Sequence, residues 1–343
     1  MNEFDYTLPE HLIAQEPVEP RSSSRLLVAV DPSGEVAHRH VFDLPDHLGT
    51  GDVLVLNDTR VDPARLLLHK STGGSVEVLL VEPTTSTGLT WNALVRRSRR
   101  VPPGTLLYPG PIAGRASPTA SEPVVEVGEV LSDDGLRLVT LSGLDVIGRY
   151  GTLALPPYIH HRLADPDRYQ TVYARHPGSV AAPTAGLHFD AELLERCRSR
   201  GATVAFLKLS VGLGTFRPVT AANPQDHVMH AENYELPQAT WEACRQAKRV
   251  VAVGTTTVRA LESVAATGEL KGRTSLFIHG NYQFAIVDVL MTNFHMPRSS
   301  LLMMLDAFCG GRWRHLYRTA QEEGYRFLSF GDAMLVARSE AGQ

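Results

Sequence analysis

The chain has 343 residues, 43% of them hydrophobic and 20% charged, with a formal net charge of −4 at pH 7. This composition excludes disordered and collagen-like classes, and no apolar run approaches the roughly 20 residues of a membrane-spanning helix. The slightly acidic balance excludes tight non-specific nucleic-acid binding but leaves room for a local basic patch that meets one folded RNA.

The cysteines, Cys197, Cys244 and Cys309, are odd in number and far apart. They make neither a disulfide framework nor a CxxC metal pair, so a reducing compartment and no metal site are expected. The first residues, MNEFDYTLPE, are acidic and lack an apolar core. They do not read as a secretory signal, and a cytoplasmic protein is expected. The sequence does not fix the oligomeric state; a monomer is favoured.

In chain order, residues 8–15 predict a short helix broken by Pro17 and Pro20, and 26–30 predict a strand. Between them Arg21 and Arg25 flank three serines. The pair suits phosphate or carboxylate; a solvated loop is the alternative. Residues 52–56 are a buried-looking strand followed by Asn57-Asp58-Thr59-Arg60. Open α/β sheets place ligands at such strand ends; an Asx turn is the structural alternative.

From 65 to 147 the pattern changes. Short apolar or alternating runs at 66–68, 76–81, 91–95, 105–108, 124–130 and 136–141 are separated by Gly, Pro, Ser and Thr clusters. This predicts a barrel or sandwich. The expected architecture is an α/β main domain, 1–64 with 148–343, carrying an inserted all-β, barrel-like domain at 65–147. On that domain Arg96, Arg97, Arg99 and Arg100 form a charge run around Ser98. It is either a solvated face or a contact to an RNA backbone.

Residues 182–190, APTAGLHFD, carry a Pro–Gly turn through Thr184 and Gly186 into His188, and Asp190 can cap the helix predicted at 191–200. A histidine there can move a proton near neutral pH, or it can be a satisfied structural ring. After the strand predicted at 203–211 comes a lone GxG that includes Gly214 and Thr215; without GxGxxG it does not make a dinucleotide fold. In the strand-like 229–234, His230 and Glu232 share a face by the period of two. A helix is predicted at 238–249 and a strand at 250–253. Gly254-Thr255-Thr256 then opens a helix that carries Arg259 and Glu262. Glycine lets a ligand approach, while hydroxyls and free helix N–H groups donate, so this is the best anion site in the sequence; a plain N-cap is the alternative. Strands are expected at 275–278 and 285–290, then Thr292, Asn293 and His295 in a turn. A buried helix at 301–308, a helix through Trp313 and Tyr317, and a strand–turn–strand at 325–336 close the chain. The polar turns at 57–60, 184–188, 254–256 and 292–295 point to an enzyme for an anionic or carboxylate-bearing small molecule.

Taken together, the blocks FDYTLPEHLIAQEP, GDVLVLNDTRVDPARL, AAPTAGLHFD, VGLGTFRPV, AVGTTTVRALES, VDVLMTNFHMP and YRFLSFGDAML resemble the S-adenosylmethionine:tRNA ribosyltransferase-isomerase family of queuosine biosynthesis. The resemblance runs from about residue 4 to 336. It implies S-adenosylmethionine as ribosyl donor and a tRNA carrying a 7-deazaguanine at the wobble position as acceptor, with Arg96–Arg100 as a possible contact. It implies a base for the ribose C5′ proton, first His188, then His230 or His295. Asp58 or Glu232 would protonate the leaving adenine. Gly254, Thr255, Thr256 and Arg259 would hold the methionine carboxylate, and Asn57, Thr292 and Asn293 the ribose or deazapurine. Arg21, Arg25, Thr59, Arg60, Thr184, Gly186, Gly214 and Thr215 complete the expected binding set. Two departures stand out: Leu209-Ser210-Val211 where the family usually has leucine-histidine-valine, and His279-Gly280-Asn281 where it has tyrosine-proline-glycine. They keep open a paralogue acting on a small deazapurine, and a catalytically silent tRNA-binding relative.

Overall fold

The structure is a computed structural model that describes residues 2–31, 35–109, 122–132, 135–212 and 229–339. It divides into two compact units, Met1–Arg60 with Pro156–Gln343, and Val61–Leu155.

The first unit is built on a nine-stranded sheet. Its centre is a parallel run of Thr203–Leu209, Asp52–Asn57, Arg249–Val253 and Val289–Asn293. Ala333–Ala337 pairs antiparallel to the last of these and parallel to Arg25–Ala29. Ala37–His40 forms one edge, and Glu232–Glu235 and Lys271–Thr274 form the other. Asp52–Asn57 is buried at every position, as a near-continuous Val/Leu run must be when both sheet faces are covered. Its side chains alternate between two cores: Val53 and Val55 join one, Leu54 and Leu56 the other.

Helices cover both faces. Ala191–Ser199, capped by Asp190 on the Leu193 N–H at 2.8 Å, places Leu193, Leu194 and Cys197 in the second core. Thr255–Thr267, Ser300–Cys309 and Arg312–Glu322 fill the first core with Val258, Leu261, Met303, Phe308, Trp313 and Tyr317.

In the second unit, Arg65–Lys70, Ser75–Pro83, Thr90–Val95, Leu136–Leu141, Val125–Val130 and Thr105–Pro109 pair in that order. The last strand returns to the first through Leu68↔Pro109, His69↔Tyr108 and Lys70↔Leu107. Among the described residues the sheet is therefore a closed six-stranded barrel, filled by inward residues such as Leu66, Leu68, Val78, Val127 and Val139. The barrel expected from the spacing of short runs is present. The unit also holds the helix Asp145–Tyr150 and the pairing Gly151↔Leu66.

Several expected elements are shorter or absent. Residues 8–15 give only the 3-10 turn Glu10–Leu12. The helix begun at Gln238 stops at Gln246, because Arg249 starts a strand and binds Asp52 with Nε at 3.1 Å and Nη2 at 2.6 Å. No strand forms at 275–278: the ladder ends at Thr274, whose Oγ1 takes the Leu276 N–H at 3.1 Å. The strand expected at 285–290 begins only at Val289. The N–H groups of Ala285, Ile286 and Val287 donate instead to the Glu262 carboxylate at 2.8, 3.1 and 3.1 Å. Of 325–336, only Ala333–Ala337 is a strand. Asp332 takes the Arg25 and Arg326 N–H groups at 3.0 and 2.8 Å and shapes the preceding turn.

Glu262 is fully buried. Removing its carboxylate strands three backbone donors, each worth about 1–3 kcal/mol when left unpaired. Glu262→Ala is expected to lower unfolding stability by about 3 kcal/mol or more, read as a drop in urea midpoint at unchanged m-value.

Candidate active site

The parallel strands all end at one edge of the sheet, and there the polar turns meet. Gly254 follows Arg249–Val253 with φ 88°, a conformation that favours glycine, and its N–H donates to Met291 O at 2.8 Å. A Cβ built on it lies 3.6 Å from the Ala185 Cβ, so the 3-10 turn Thr184–His188 packs directly against this strand end. No side chain caps the helix Thr255–Thr267 that comes next. The Thr257 N–H closes back on Gly254 O at 3.1 Å, and the N–H groups of Thr255 and Thr256, with the positive end of the dipole, face the strand end where a ligand can take them.

These pieces enclose a pocket, part of it open to solvent. Polar lining comes from Thr184, Thr255, Thr256, Thr292, Asn293 and His295. Apolar lining comes from Val211, Phe294, Met296, Leu301 and Leu328. The residues Tyr158, Ser299 and Ser329, also in the wall, were not expected from the sequence. Tyr158 OH and Ser329 Oγ are 2.7 Å apart. Burial pushes the Tyr158 phenol up to about 12, so it stays protonated at neutral pH. The position of Ser329 follows from Leu328, which has φ 70°; composition carries no signal for that.

One relay orders the polar wall. Thr184 Oγ1 donates to Asn293 Oδ1 at 3.0 Å, and Asn293 Nδ2 donates to His188 Nε2 at 3.1 Å. His188 is thus an acceptor behind Asn293 and is not part of the pocket lining. His295 does line the pocket, with Nε2 and Thr292 Oγ1 3.1 Å apart. Its backbone is held from both sides: the N–H donates to Tyr317 OH at 2.7 Å, and the carbonyl accepts from Tyr6 OH.

Other expected site residues support the edge or lie away from it. Asn57 is a clamp: Nδ2 donates to Leu209 O, and Oδ1 accepts from the Leu209 N–H, both at 3.0 Å, and from the Thr59 N–H at 3.2 Å. Gly186 packs so tightly that a Cβ would sit 2.1 Å from Tyr173 OH. Arg21 donates to Leu187 O and Asp167 O, both at 3.2 Å, and so ties down the 184–188 turn. Arg25 lies over the Tyr325 ring at 3.7 Å, and Arg60 is exposed. Thr59 Oγ1 donates to His176 O at 3.4 Å. Asp58 is buried and pairs with His176 Nδ1 at 3.0 Å. Gly214 and Thr215 lie outside the described residues.

Two expectations are corrected. Glu232 does not sit beside His230: the strand starts at Glu232, and His230 is exposed outside it. The buried Glu232 carboxylate instead pairs with Arg259 and takes the Gly212 N–H at 2.8 Å. Arg259 also donates to Leu276 O at 3.1 Å and Thr274 O at 3.4 Å. Its guanidinium is therefore turned away from the Gly254–Thr256 anion site. At the two departures, Ser210 directs its N–H to Asn233 O at 2.9 Å, and the His279 ring packs on Phe277 at 4.5 Å. Neither lines the pocket; Val211, next to Ser210, does.

Comparison with known proteins agrees with the resemblance over nearly the whole chain. A family model described as queuosine biosynthesis protein matches residues 1–336. The chain belongs to the queuosine biosynthesis protein family. It is 49% identical to the S-adenosylmethionine:tRNA ribosyltransferase-isomerase of Moorella thermoacetica, over 98% of this chain and 99% of the relative. It is 52% identical to that of Thermus thermophilus, over 97% and 98%. It is also similar to the crystal structure of S-adenosylmethionine tRNA ribosyltransferase from Thermotoga maritima, with a TM-score of 0.54, 35% identity, and coverage of 97% and 99%.

Burial drives both imidazoles from 6.5 down to about 3, and for His188 the Arg326, Arg21 and Arg168 guanidiniums push the same way. The folded chain keeps the rings neutral while the unfolded chain protonates them below about 6.5. Between these values the unfolded state binds more protons, so stability falls as pH is lowered through that window and is flat above it. Urea midpoints at about pH 7.5 and about pH 5 should show this loss, with each ring contributing up to about 1.4 kcal/mol per pH unit. His188→Gln, which keeps an acceptor for Asn293, should remove one ring's share of the slope; an unchanged slope refutes the assignment.

Proposed function

We propose that this chain transfers and isomerises the ribosyl moiety of S-adenosylmethionine onto 7-aminomethyl-7-deazaguanine in a tRNA anticodon, forming epoxyqueuosine and releasing adenine and methionine. Family membership supports the reading. At the site, the observation that carries it is a helix N-terminus without a side-chain cap and a neutral histidine in the wall of one pocket.

The residues present fit such a donor. The first turn of Thr255–Thr267, with the Thr255 and Thr256 hydroxyls, suits the methionine carboxylate. Phe294, Met296 and Leu328 offer an apolar face for the adenine. S-adenosylmethionine supplies a sulfonium, which acidifies the neighbouring ribose C5′ proton. His295 is assigned the removal of that proton, in place of His188, because it lines the pocket. A neutral ring does not repel a sulfonium, and a carboxylate bound in the same pocket raises its proton affinity from the depressed value. His188 is assigned to positioning: it holds the Asn293 amide, which with Thr292 faces the pocket. Glu232 is engaged by Arg259 and the Gly212 N–H and does not line the pocket, so it is not placed to protonate the leaving adenine. That role passes to neutral donors in the wall, Tyr158 foremost. The acceptor is a tRNA, and Arg96, Arg97, Arg99 and Arg100 on the barrel are its expected contact. A small deazapurine acceptor is the second reading; the departures at Ser210 and His279-Gly280-Asn281 raise it in the sequence, but neither lines the pocket.

The test incubates the protein with S-adenosylmethionine and a tRNA carrying 7-aminomethyl-7-deazaguanine. Adenine release and a mass gain on the tRNA are expected; transfer to the free base alone gives the second reading. Folded protein yielding neither product sinks both. His295→Ala should lower the rate by about 10²–10⁴-fold, as for loss of a general base, and His188→Gln by less.

A further inference from the structure

The connection between the barrel strands Thr90–Val95 and Thr105–Pro109 carries Arg96, Arg97, Arg99 and Arg100, all exposed. It is built, not loose. Ser98–Arg100 form a 3-10 turn, closed by the Arg100 N–H on Arg97 O at 2.8 Å and the Val101 N–H on Ser98 O at 2.9 Å. Arg97 enters the turn at φ 58°, ψ 38°, in the left-handed region that favours glycine. Lys70 Nζ adds a donor to Arg100 O at 2.5 Å.

The strut beneath this turn is Arg137, only 1% exposed. On the turn side its Nη1 donates to Ser98 O at 3.3 Å, Ser98 Oγ at 3.1 Å and Val101 O at 2.8 Å. On the barrel side Nε and Nη2 donate to Gly128 O at 3.2 and 2.6 Å. Among the described residues, none of these partners is a carboxylate. Arg96 lies 3.7 Å from Glu77, which Arg65 already holds at 2.8 Å. The exposed guanidiniums border an open groove with Leu79 and Leu94 in its wall.

We propose that this turn is a phosphate-backbone binding site for RNA and that Arg137 is the positioning residue that builds it. Planar guanidinium forks match phosphate oxygens in pairs, and an open groove admits an extended polyanion where a closed pocket would select a mononucleotide. A buried arginine that hydrogen-bonds only carbonyls and a hydroxyl serves the backbone of the turn, and so sets where the surface arginines stand. The inference rests on the reading of tRNA as acceptor.

The test is equilibrium binding of an unmodified tRNA transcript to the full-length protein across a salt series. Arg97→Ala with Arg99→Ala should lower affinity about tenfold or more and reduce the slope of log affinity against log salt by about two, one per lost contact. Arg137→Met leaves every surface arginine in place, yet it should lower affinity about tenfold and reduce the slope by about one, with cooperative unfolding retained; Arg137→Lys should recover part of the affinity. Wild-type affinity and slope in the double alanine variant overturn the site. The same result in a folded Arg137→Met overturns the role of Arg137. If Arg137→Met does not fold, the double variant still decides the site. Displacement of the tRNA by polyglutamate at equal charge concentration overturns the assignment to RNA. Binding needs no turnover, so tRNA binding without ribosyl transfer refutes the proposed reaction and leaves this site standing.

Discussion

Parallel strand pairing is the constraint on which the pocket depends. Strands that run the same way cannot be joined by tight hairpins; each connection must cross over through a dozen or more residues. The parallel pairing of Thr203–Leu209, Asp52–Asn57, Arg249–Val253 and Val289–Asn293 therefore leaves several chain ends free at one edge. Each end is followed by a turn that is not needed to reverse the chain. At the same edge Asn57 grips both polar groups of Leu209 and fixes the two neighbouring strand ends relative to each other. At the opposite edge Arg249 and Asp52 form a two-point ion pair.

Much of this was legible in the residues, for physical reasons. A strand buried on both faces must be apolar along its length, which makes 52–56 readable; six short alternating runs make the barrel readable. The destination of backbone donors was not legible where a side chain takes them. The apolar content of 285–290 is that of a strand, but Glu262 captures three of its N–H groups. The pocket divides the same way. Glycine, proline and small polar residues beyond strand ends marked the turns at 184–188, 254–256 and 292–295. Yet His188 and His295 look alike in sequence, and only the fold places one behind Asn293 and the other in the wall. The Glu232–Arg259 pair joins residues 27 positions apart, and no local pattern announces it.

Three of the buried charges share one task by different means. Glu262 is satisfied by backbone N–H groups, Arg259 by a carboxylate and two carbonyls, and Arg137 by carbonyls and a serine. In each case a charged group is taken from water and its cost is offset by charge-assisted hydrogen bonds. In each case the partners include backbone that no strand ladder or helix would otherwise hold. The irregular segments of this chain are thereby as specified as its regular ones.

The Thr255–Thr267 helix moors the chain downstream of it at two separate points. Arg259 holds the carbonyls of Thr274 and Leu276, and Glu262 holds the N–H groups of Ala285, Ile286 and Val287. Between these moorings the chain owes the sheet no register, and the His279 ring rests on Phe277 of the same segment. Ile278 is buried in the core and fixes this span, whereas Gly280 and Asn281 are exposed, so the tip of the span can change without disturbing either helix or sheet. The His279-Gly280-Asn281 turn lies inside it, so its departure from the usual tyrosine-proline-glycine is a change the fold does not register.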